Sequence, residues 1–364
     1  MERPSIAIIG GGIIGCMTAW EIASRTHEAS IVVLDRDMVG CGATRVSAGL
    51  HVPRGATERV RQMAAYSQDF YEKLKQARPR LPIRALSMSV VASEAKALDL
   101  QAMFLDSARL TRAAGIPRGP IRVPESDGVW DGQRCQHADV FGLTQALAQE
   151  LRSCVSFREG VRVTAIESTA EAVSVELSSG EALAFDQVVL APGPWLTAPA
   201  WRTLLAPLGL RVKKIVALHI EQCPSEHDGA IVFQDVDAFL LPLLDRRQWL
   251  FSYTSQEWDV DPDTVAVGLS AQDVDEGLDC LRRFAPDFAE RCAGGRVFCD
   301  AFSTDRQPRI QTLDEAGRVV FAGAANGSGY RLAPAIAFEA ADLLHVAGRS
   351  DRKLSHRRVG LDPL

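Results

Sequence analysis

The sequence lacks the cysteine spacings on which disulfide frameworks and zinc sites are usually built. Its 364 residues include eight cysteines, yet no two of them form a CxxC pair. Thiols scattered in this way are typical of proteins in a reducing compartment, where disulfides rarely persist. We therefore expect free thiols, no bound metal and a cytoplasmic location.

Blocks of like charge and long apolar runs are absent as well. The chain has 40 Lys and Arg against 46 Asp and Glu, a net charge of -6, with no basic block that would favour nucleic acid. The apolar run 6–20 lacks the basic start and the cleavage site of a signal peptide, and it is too short to span a bilayer. We expect a small-molecule substrate and neither a nucleic-acid nor a membrane partner, while homo- or hetero-oligomers stay possible.

Glycine, by contrast, is concentrated near the N-terminus, between a predicted strand and a predicted helix. The stretch SIAIIGGGIIG holds three glycines in GxGxxG spacing, and Asp35 follows the next predicted strand, 20 residues after the last of them. In a βαβ unit this arrangement places a pyrophosphate at the helix N-terminus and a carboxylate beside a ribose. The residues that this motif assigns to a dinucleotide are Gly10, Gly12, Ile13, Ile14, Gly15, Asp35 and Arg36.

The dinucleotide could be NAD or FAD, and the stretch after Asp35 favours FAD. Small and hydroxyl residues fill VGCGATRVSAGLHVPRG, where an ordinary NAD domain would continue to its next helix. We interpret this stretch as a loop that closes over a longer cofactor. The segment 56–77 that follows predicts a helix with one apolar face turned to the core.

In these motifs and in three later ones, the chain resembles the D-amino-acid-oxidase-like FAD-dependent oxidoreductases, a family that includes glycine oxidase, monomeric sarcosine oxidase and D-arginine dehydrogenase. The later ones are HADVFGLTQALAQEL with its acid cap Asp139, AFDQVVLAPGPWL, and VVFAGAANGSGYRLAPAIAFEAADLL. The resemblance implies FAD contacts at Gly42, Ala43, Thr44, Arg45, Ser47, Ala48, Gly49, Leu50, Val163, Ala191, Gly193, Trp195, Gly327, Ser328, Gly329, Tyr330, Arg331 and Leu332.

The last motif has a physical logic of its own. A glycine-rich loop before an alanine-rich helix aims backbone N–H donors and a partial positive charge at whatever lies there. In the family this is the pyrimidine end of the flavin, which becomes anionic on reduction. The helix end is therefore expected to assist reduction as well as binding.

The motifs predict an α/β fold in which a Rossmann-type FAD-binding domain is interleaved with an α+β substrate domain built on an antiparallel sheet. Segments 1–80, 138–205 and 300–364 would form the first domain, and segments 81–137 and 206–299 the second. The second contains closely spaced strand-like stretches such as RVKKIVALHIEQC and QWLFSYT. We find no internal repeat and no flexible linker.

The resemblance also implies a reaction, the oxidation of the C–N bond of a small amine or modified amino acid. A hydride passes from the carbon beside nitrogen to the flavin, so that the protein mainly orients the substrate. The side chains expected to line the substrate cavity are Phe239, Tyr253, Arg331, Arg54 and His51. Two alternatives stay open, a 2-hydroxy-acid dehydrogenase and the flavin-carrying subunit of a heteromeric dehydrogenase.

Two departures from the family bear on the substrate and the acceptor. Asp300 or Ala301 stands where glycine oxidase and D-arginine dehydrogenase have a carboxylate-binding arginine, which disfavours glycine, sarcosine and unmodified D-amino acids. We expect a larger substrate with an amine or other polar group near Asp300. The stretch QWLFSYT has no lysine, although sarcosine oxidase uses one there to activate dioxygen. Glycine oxidase also lacks this lysine, so oxidase and dehydrogenase both stay open.

We predict that FAD is bound noncovalently. Sarcosine oxidase attaches its flavin to a cysteine in the stretch that corresponds to FCDAFSTDRQPRI, but Cys299 lies one residue from that place. A one-residue slip in a strand turns the side chain to the opposite face. Acid precipitation of the yellow protein should leave the colour in the supernatant, and colour retained in the pellet would contradict this expectation.

Overall fold

The computed structural model describes residues 3–115, 121–265 and 268–346, so the predicted end of the third FAD-binding segment, 347–364, lies outside the described residues. The strands are β1 (Ser5–Ile9), β2 (Ser30–Leu34), β3 (Leu50–His51), β4 (Ile83–Ser93), β5 (Thr111–Arg112), β6 (Asp127–Ala138), β7 (Val155–Arg158), β8 (Val163–Ser168), β9 (Val173–Leu177), β10 (Ala182–Phe185), β11 (Gln187–Leu190), β12 (Arg211–Ile220), β13 (Ala230–Phe233), β14 (Ala238–Leu243), β15 (Gln248–Trp258), β16 (Cys292–Phe302), β17 (Arg309–Thr312) and β18 (Val319–Gly323). The helices are α1 (Ile13–Arg25), α2 (Ala43–Val46), α3 (Glu58–Ala77), α4 (Ala97–Met103), α5 (Val140–Leu151), α6 (Arg202–Leu205), α7 (Pro262–Val265), α8 (Ala271–Phe284), α9 (Pro286–Ala289) and α10 (Gly329–Leu343).

A six-stranded sheet carries the dinucleotide motifs, in the strand order β17-β18-β11-β1-β2-β7. Five of these strands run parallel, and only β17 at the edge pairs antiparallel with its neighbour. The β-branched runs of β1, β2 and β11 suit a sheet that is buried on both faces. The Rossmann-type half of the predicted fold is thereby confirmed.

Helices α1, α3 and α10 pack together against this sheet and form the largest apolar core. The predicted face of α3 is buried, and Thr57 caps the helix by accepting a hydrogen bond from the backbone N–H of Val60. Asp139 caps α5 in the same way through the N–H of Gly142, as the sequence suggested. Within the described ranges, no helix is long and apolar enough to cross a membrane.

The second large sheet has nine strands and faces the cofactor-binding half. Its order is β16-β12-β15-β14-β13-β4-β6-β3, and β5 also pairs with β6. All its pairs are antiparallel except β13 with β4. The predicted antiparallel sheet is therefore confirmed with one parallel exception, the pairing of β13 with β4.

Two strands cross the predicted division between domains, which stays a prediction. The strand β3 lies in the first cofactor segment but pairs with β6 of the nine-stranded sheet. The strand β16 runs through residue 300, where the last boundary was drawn, without interruption. Strand pairing thus joins the two halves on both sides of the cavity described below.

Gly15 offers a test of how closely α1 approaches the sheet. A Cβ at this position would lie 1.9 Å from the carbonyl oxygen of Gly10, which belongs to rigid backbone. We expect Gly15→Ala to lower the free energy of unfolding by about 1–3 kcal/mol, as overpacking does. Chemical denaturation measures this change.

Gly115→Ala is the matched control, because a Cβ there meets nothing within 4 Å. It should change the free energy of unfolding by less than about 0.5 kcal/mol, the usual range for surface substitutions. Equal stability of the two variants would show that α1 tolerates a wider separation from the sheet.

Candidate active site

A cavity of ≈ 540 Å³ runs between the two large sheets and carries most of the residues that the sequence assigned to a cofactor. One wall contains the carboxyl ends of the parallel strands, at Ile9, Leu34 and Gly323. In open α/β sheets this edge is where ligands bind. The other wall is formed by the nine-stranded sheet, and we name this space the cofactor cavity.

The glycines before α1 allow its N-terminus to reach the cofactor cavity. Gly10 has φ +107°, and a Cβ on it would lie 2.2 Å from the carbonyl oxygen of Ala191. Gly12 caps α1 without any side-chain acceptor, while the N–H of Ile13 donates to Oγ1 of Thr44 at 3.0 Å. The first turn of α1 thus presents N–H groups and a partial positive charge to a phosphate.

Asp35 stands immediately after β2 and faces the same end of the cavity. Its Oδ2 accepts a hydrogen bond from the N–H of Gly11 at 2.6 Å, and its Oδ1 accepts from the N–H of Asp37 at 2.8 Å. Burial raises the pKa of this carboxyl group, whereas the two backbone donors lower it. The backbone bonds fix the orientation of the carboxylate, and a carboxylate has further lone pairs that can accept from ribose hydroxyls.

The loop before α10 and the first residue of that helix form the opposite end of the cavity. We name the glycines there, Gly327 and Gly329, the glycine cradle. Gly327 has φ +75°, and the nearest atom to a Cβ there is Oδ2 of Asp300, at 3.7 Å. A Cβ on Gly329 would meet nothing within 4 Å, so these glycines face open space. Asn326 holds the loop in place, since its Oδ1 accepts from the N–H of Ser303 at 3.0 Å.

These observations fit FAD. The cavity is lined by the carboxylate of Asp35 at one end and by the glycines at the N-terminus of α10, a second helix N-terminus, at the other. The residues that would hold the dinucleotide are those around Gly12 and Asp35, and those that would hold the ring are around Gly49 and Gly329. Cys299 is buried in the apolar core and does not line the cavity, as expected for noncovalent binding.

Two arginines lie at the glycine-cradle end. Arg331 donates to the carbonyl oxygen of Arg54 at 2.8 Å and to Oγ of Ser328 at 2.6 Å, and Arg54 donates to Oε1 of Gln234. Among the described residues neither guanidinium forms an ion pair. Burial, and then the charge of Arg54, lowers the pKa of Arg331 to about 9. Burial also lowers the pKa of Arg54, and with a pKa of about 9 Arg331 is charged at neutral pH.

Two carboxylates line the same end. Asp237 lies in a left-handed turn with φ 49° and accepts from Oγ1 of Thr254 at 2.9 Å, and its charge stabilises the protonated forms of both arginines. Asp300 has no hydrogen-bond donor in contact among the described residues. Burial raises the pKa of Asp300 to about 6. This end of the cavity therefore offers an anion site beside a carboxylate that lacks a partner.

Most of the predicted site residues lie on the cavity wall. We name residues 42–50 the flavin loop. From the first motif and the flavin loop, the lining residues are Gly10, Gly12, Ile13, Ile14, Gly15, Asp35, Arg36, Gly42, Ala43, Thr44, Ser47, Ala48, Gly49 and Leu50. From the later motifs and the substrate side they are Val163, Ala191, Gly193, Trp195, Gly327, Ser328, Gly329, Tyr330, Arg331, Arg54, Phe239, Asp300 and the alternative Ala301.

Four predicted positions do not line the cavity, contrary to the expectation for Tyr253 and His51, whereas cofactor contacts of Arg45 and Leu332 stay predictions. Tyr253 points to the opposite face of β15, where its hydroxyl contacts Glu276, because only the alternate residues of a strand face one side. His51 is fully buried behind Tyr330, and burial lowers its pKa to about 3. Arg45 is exposed on α2, and Leu332 packs in the core under α10.

Several lining residues were not predicted from the sequence. The neighbours of Tyr253 on β15 take the place expected for it, and the turn before β14 adds a carboxylate that no motif marks. Strand alternation could have identified the former once one residue was oriented. The additional polar and aromatic lining residues are Asp37, Arg162, Thr164, Trp201, Asp237, Ser252, Thr254, Phe298, Phe302 and Asn326.

Comparison with known proteins gives a family match over most of the chain. Residues 5–343 match the family described as DAO, FAD dependent oxidoreductase. The chain is 27% identical over 256 residues to 4-methylaminobutanoate oxidase (formaldehyde-forming) of Paenarthrobacter nicotinovorans, covering 63% of this chain and 29% of that protein. It is 26% identical over 211 residues to glycine oxidase of Pseudomonas putida, covering 52% of this chain and 55% of that protein.

The chain thus spans less than two thirds of the length of these curated relatives. Among solved structures, L-proline dehydrogenase from P. horikoshii has a TM-score of 0.78 at 16% identity, with 96% of this chain and 95% of that chain covered. At this identity the likeness shows the fold. The resemblance inferred from the sequence and the prediction of FAD as cofactor are confirmed by the family match.

Asp35 provides a direct test of the dinucleotide end. We expect Asp35→Ala to raise the dissociation constant for FAD at least about tenfold, because hydrogen bonds to a charged acceptor contribute about 1.5–3 kcal/mol each. Titration of the FAD-free protein with FAD, followed by flavin fluorescence, gives the affinity.

Asp139→Ala is the matched control. It removes a helix cap in the same half of the protein, at about 1 kcal/mol of stability, without touching the cavity. Its FAD affinity should stay that of the wild type. An unchanged affinity in Asp35→Ala, or an equal loss in both variants, would show that Asp35 does not bind the cofactor.

Proposed function

Because the chain belongs to the DAO family of FAD-dependent oxidoreductases, we propose that it oxidises the C–N bond of a small amine or modified amino acid that also carries an anionic group. The observation that carries the anionic part of this proposal is the pair of guanidinium groups at the glycine-cradle end, which form no ion pair with any residue that the structure describes. The observation that supports the amine is the carboxylate of Asp300 at the same end, which accepts no hydrogen bond from the described part of the chain.

Bound FAD supplies the two-electron acceptor that takes a hydride from the carbon beside the nitrogen. The chain's own residues orient the substrate for this transfer and exclude water. The aromatic side chains Phe239 and Phe298 line the cavity from β14 and β16 and give it an apolar surface. In such a site, charged contacts are stronger than they are in water.

Arg331 and Arg54 are proposed to hold a carboxylate of the substrate. A guanidinium can donate two parallel hydrogen bonds to a carboxylate, and this geometry fixes orientation as well as affinity. Arg331 is already oriented by Ser328 and by the carbonyl oxygen of Arg54. Little side-chain freedom is therefore lost when the anion binds.

Asp300 is proposed to accept a hydrogen bond from the substrate amine. With its pKa raised to about 6, the group is mostly ionised at neutral pH and mostly protonated below pH 6. The ionised form attracts an ammonium group and assists its orientation. Preference for an amine should therefore weaken as the pH falls below 6. A simple amino acid would lack the contact that the family's arginine makes with the substrate carboxylate. Only Arg331 and Arg54 would then hold that carboxylate.

The N-terminus of α10 is proposed to favour reduction. Ser328 caps this helix without a side-chain bond to its backbone, so the first N–H groups stay available at the cavity. Donors that point to a site where negative charge develops stabilise it without reorganisation. The hydride leaves from the neutral amine, so a bound ammonium group first loses its proton to solvent, and no side-chain base is then needed.

Anaerobic bleaching of the flavin tests the proposal without knowledge of the electron acceptor. We expect bleaching by larger amines or modified amino acids that carry a carboxylate, and slow bleaching by glycine, sarcosine, unmodified D-amino acids and 2-hydroxy acids. Asp300→Asn should lower the rate with amines by roughly tenfold at neutral pH, the effect of losing one charged contact.

Asp287→Asn, an exposed acid of α9, is the matched control and should bleach like the wild type. Efficient bleaching by simple amino acids, or an equal response of amine and hydroxy-acid panels to Asp300→Asn, would contradict the proposed substrate. Bleaching without steady-state turnover by the single chain would instead favour a subunit of a heteromeric dehydrogenase.

A further inference from the structure

Three side chains from separate parts of the chain meet at the Asp35 end of the cofactor cavity. Arg36 follows β2, Trp195 lies in the turn after β11, and Asp263 lies in α7, after β15 of the nine-stranded sheet. The guanidinium carbon of Arg36 is 4.1 Å from the ring centroid of Trp195, which is a cation–π contact. We name these three residues the Asp263 cluster.

Asp263 binds the other two members at once. Its Oδ2 accepts from Nη1 of Arg36 at 3.2 Å, and its Oδ1 accepts from Nη2 of Arg36 at 2.8 Å. The same Oδ1 accepts from Nε1 of Trp195 at 2.7 Å. The Arg36 guanidinium lowers the pKa of Asp263, so the carboxylate is ionised at neutral pH. One carboxylate therefore fixes the guanidinium plane and the indole ring against each other.

The cluster is placed at the edge of the cavity. Arg36 and Trp195 line the cavity, and Trp201 supports them by donating from Nε1 to the carbonyl oxygen of Trp195 at 2.8 Å. Asp263 does not line the cavity and lies behind the two residues that do. Its side chain is 55% exposed, so it is reached by solvent and salt.

The cluster also joins the two halves of the molecule. Arg36 and Trp195 follow strands of the parallel sheet, whereas α7 contacts β16 of the other sheet. Because Asp35 is the residue beside the ribose in this fold, the adenosine half of the cofactor belongs at this end. A cofactor leaving by this end would have to pass the Arg36 and Trp195 side chains.

We propose that the Asp263 cluster is a clasp over the adenosine end of FAD, in which Asp263 controls the rate of cofactor release without touching the cofactor. It acts as a positioning residue that holds Arg36 and Trp195 across the cavity edge. Arg36 Nε also donates to Oδ2 of Asp37 at 3.2 Å, so loss of the Asp263 charge removes the bidentate partner of Arg36 but not every contact. The Arg36 and Trp195 side chains then lose the carboxylate that joins them, and that edge of the cavity opens more readily. The affinity contributed by Asp35 and by the N-terminus of α1 is separate from this effect.

The test measures FAD release from the FAD-loaded protein. Asp263→Asn keeps one oxygen for Trp195 but presents an amide to Arg36, and it should release FAD about fivefold faster, the size expected for an exposed ion pair with two hydrogen bonds. Release is followed as the increase in flavin fluorescence after large dilution. The FAD-free variant should unfold at the temperature of the wild type.

Asp259→Asn is the matched control. Asp259 forms a similar exposed ion pair with Arg211, at 2.6 Å, on the same connecting segment but away from the cavity. Its φ of 58° is one that Asn tolerates. The control should release FAD within about twofold of the wild-type rate, because an exposed pair contributes little to stability.

Salt gives a second readout that a merely structural contact would not produce. An exposed ion pair is screened at high ionic strength, so wild-type release should accelerate towards the rate of Asp263→Asn as salt increases. The variant should show a weaker dependence than the wild type. The proposal would be overturned if Asp263→Asn and Asp259→Asn released FAD at equal rates, or if the release rates of the wild type and Asp263→Asn depended equally on salt. It would also be overturned if Asp263→Asn released FAD faster but unfolded at a lower temperature than the wild type.

Discussion

The close contact between the start of α1 and the parallel sheet is the constraint on which the rest of the structure depends. Gly10 passes against the carbonyl oxygen of Ala191, and Gly15 passes against the carbonyl oxygen of Gly10, at distances that no side chain could occupy. This contact brings β1, β11 and the helix N-terminus to one point. The carboxylate after β2 and the turn after β11 then have fixed positions around a dinucleotide.

The dinucleotide end could be predicted from the sequence because its signals are local. Glycines, a helix and an acid at a set spacing belong to one βαβ unit, so the geometry follows from about thirty consecutive residues. The Thr57 cap of α3 was not predicted, since the predicted helix 56–77 includes it, and the Asp139 cap of α5 was expected from the family resemblance. Local signals predicted the first strands of the parallel sheet, whereas most of the other cofactor-lining residues came from that resemblance.

The substrate end could not be predicted to the same degree, because its geometry depends on strands distant in sequence. Tyr253 and Ser252 are neighbours, and only the register of β15 against β12 and β14 decides which one faces the cavity. His51 follows the flavin loop, but its pairing with Gln136 turns it into the core. Asp237 owes its place to a left-handed turn that no glycine marks.

The two faces of strand β16 have different surroundings. Asp300 faces the cavity and Cys299 faces the apolar core, because adjacent side chains of a strand point to opposite faces. A thiol at position 299 therefore cannot be brought to the cofactor by altering its immediate neighbours. Only an insertion or deletion that shifts β16 by one residue would do so, and the same shift would turn Asp300 away. Covalent attachment through this cysteine and recognition through this carboxylate are thus mutually exclusive outcomes for a single strand.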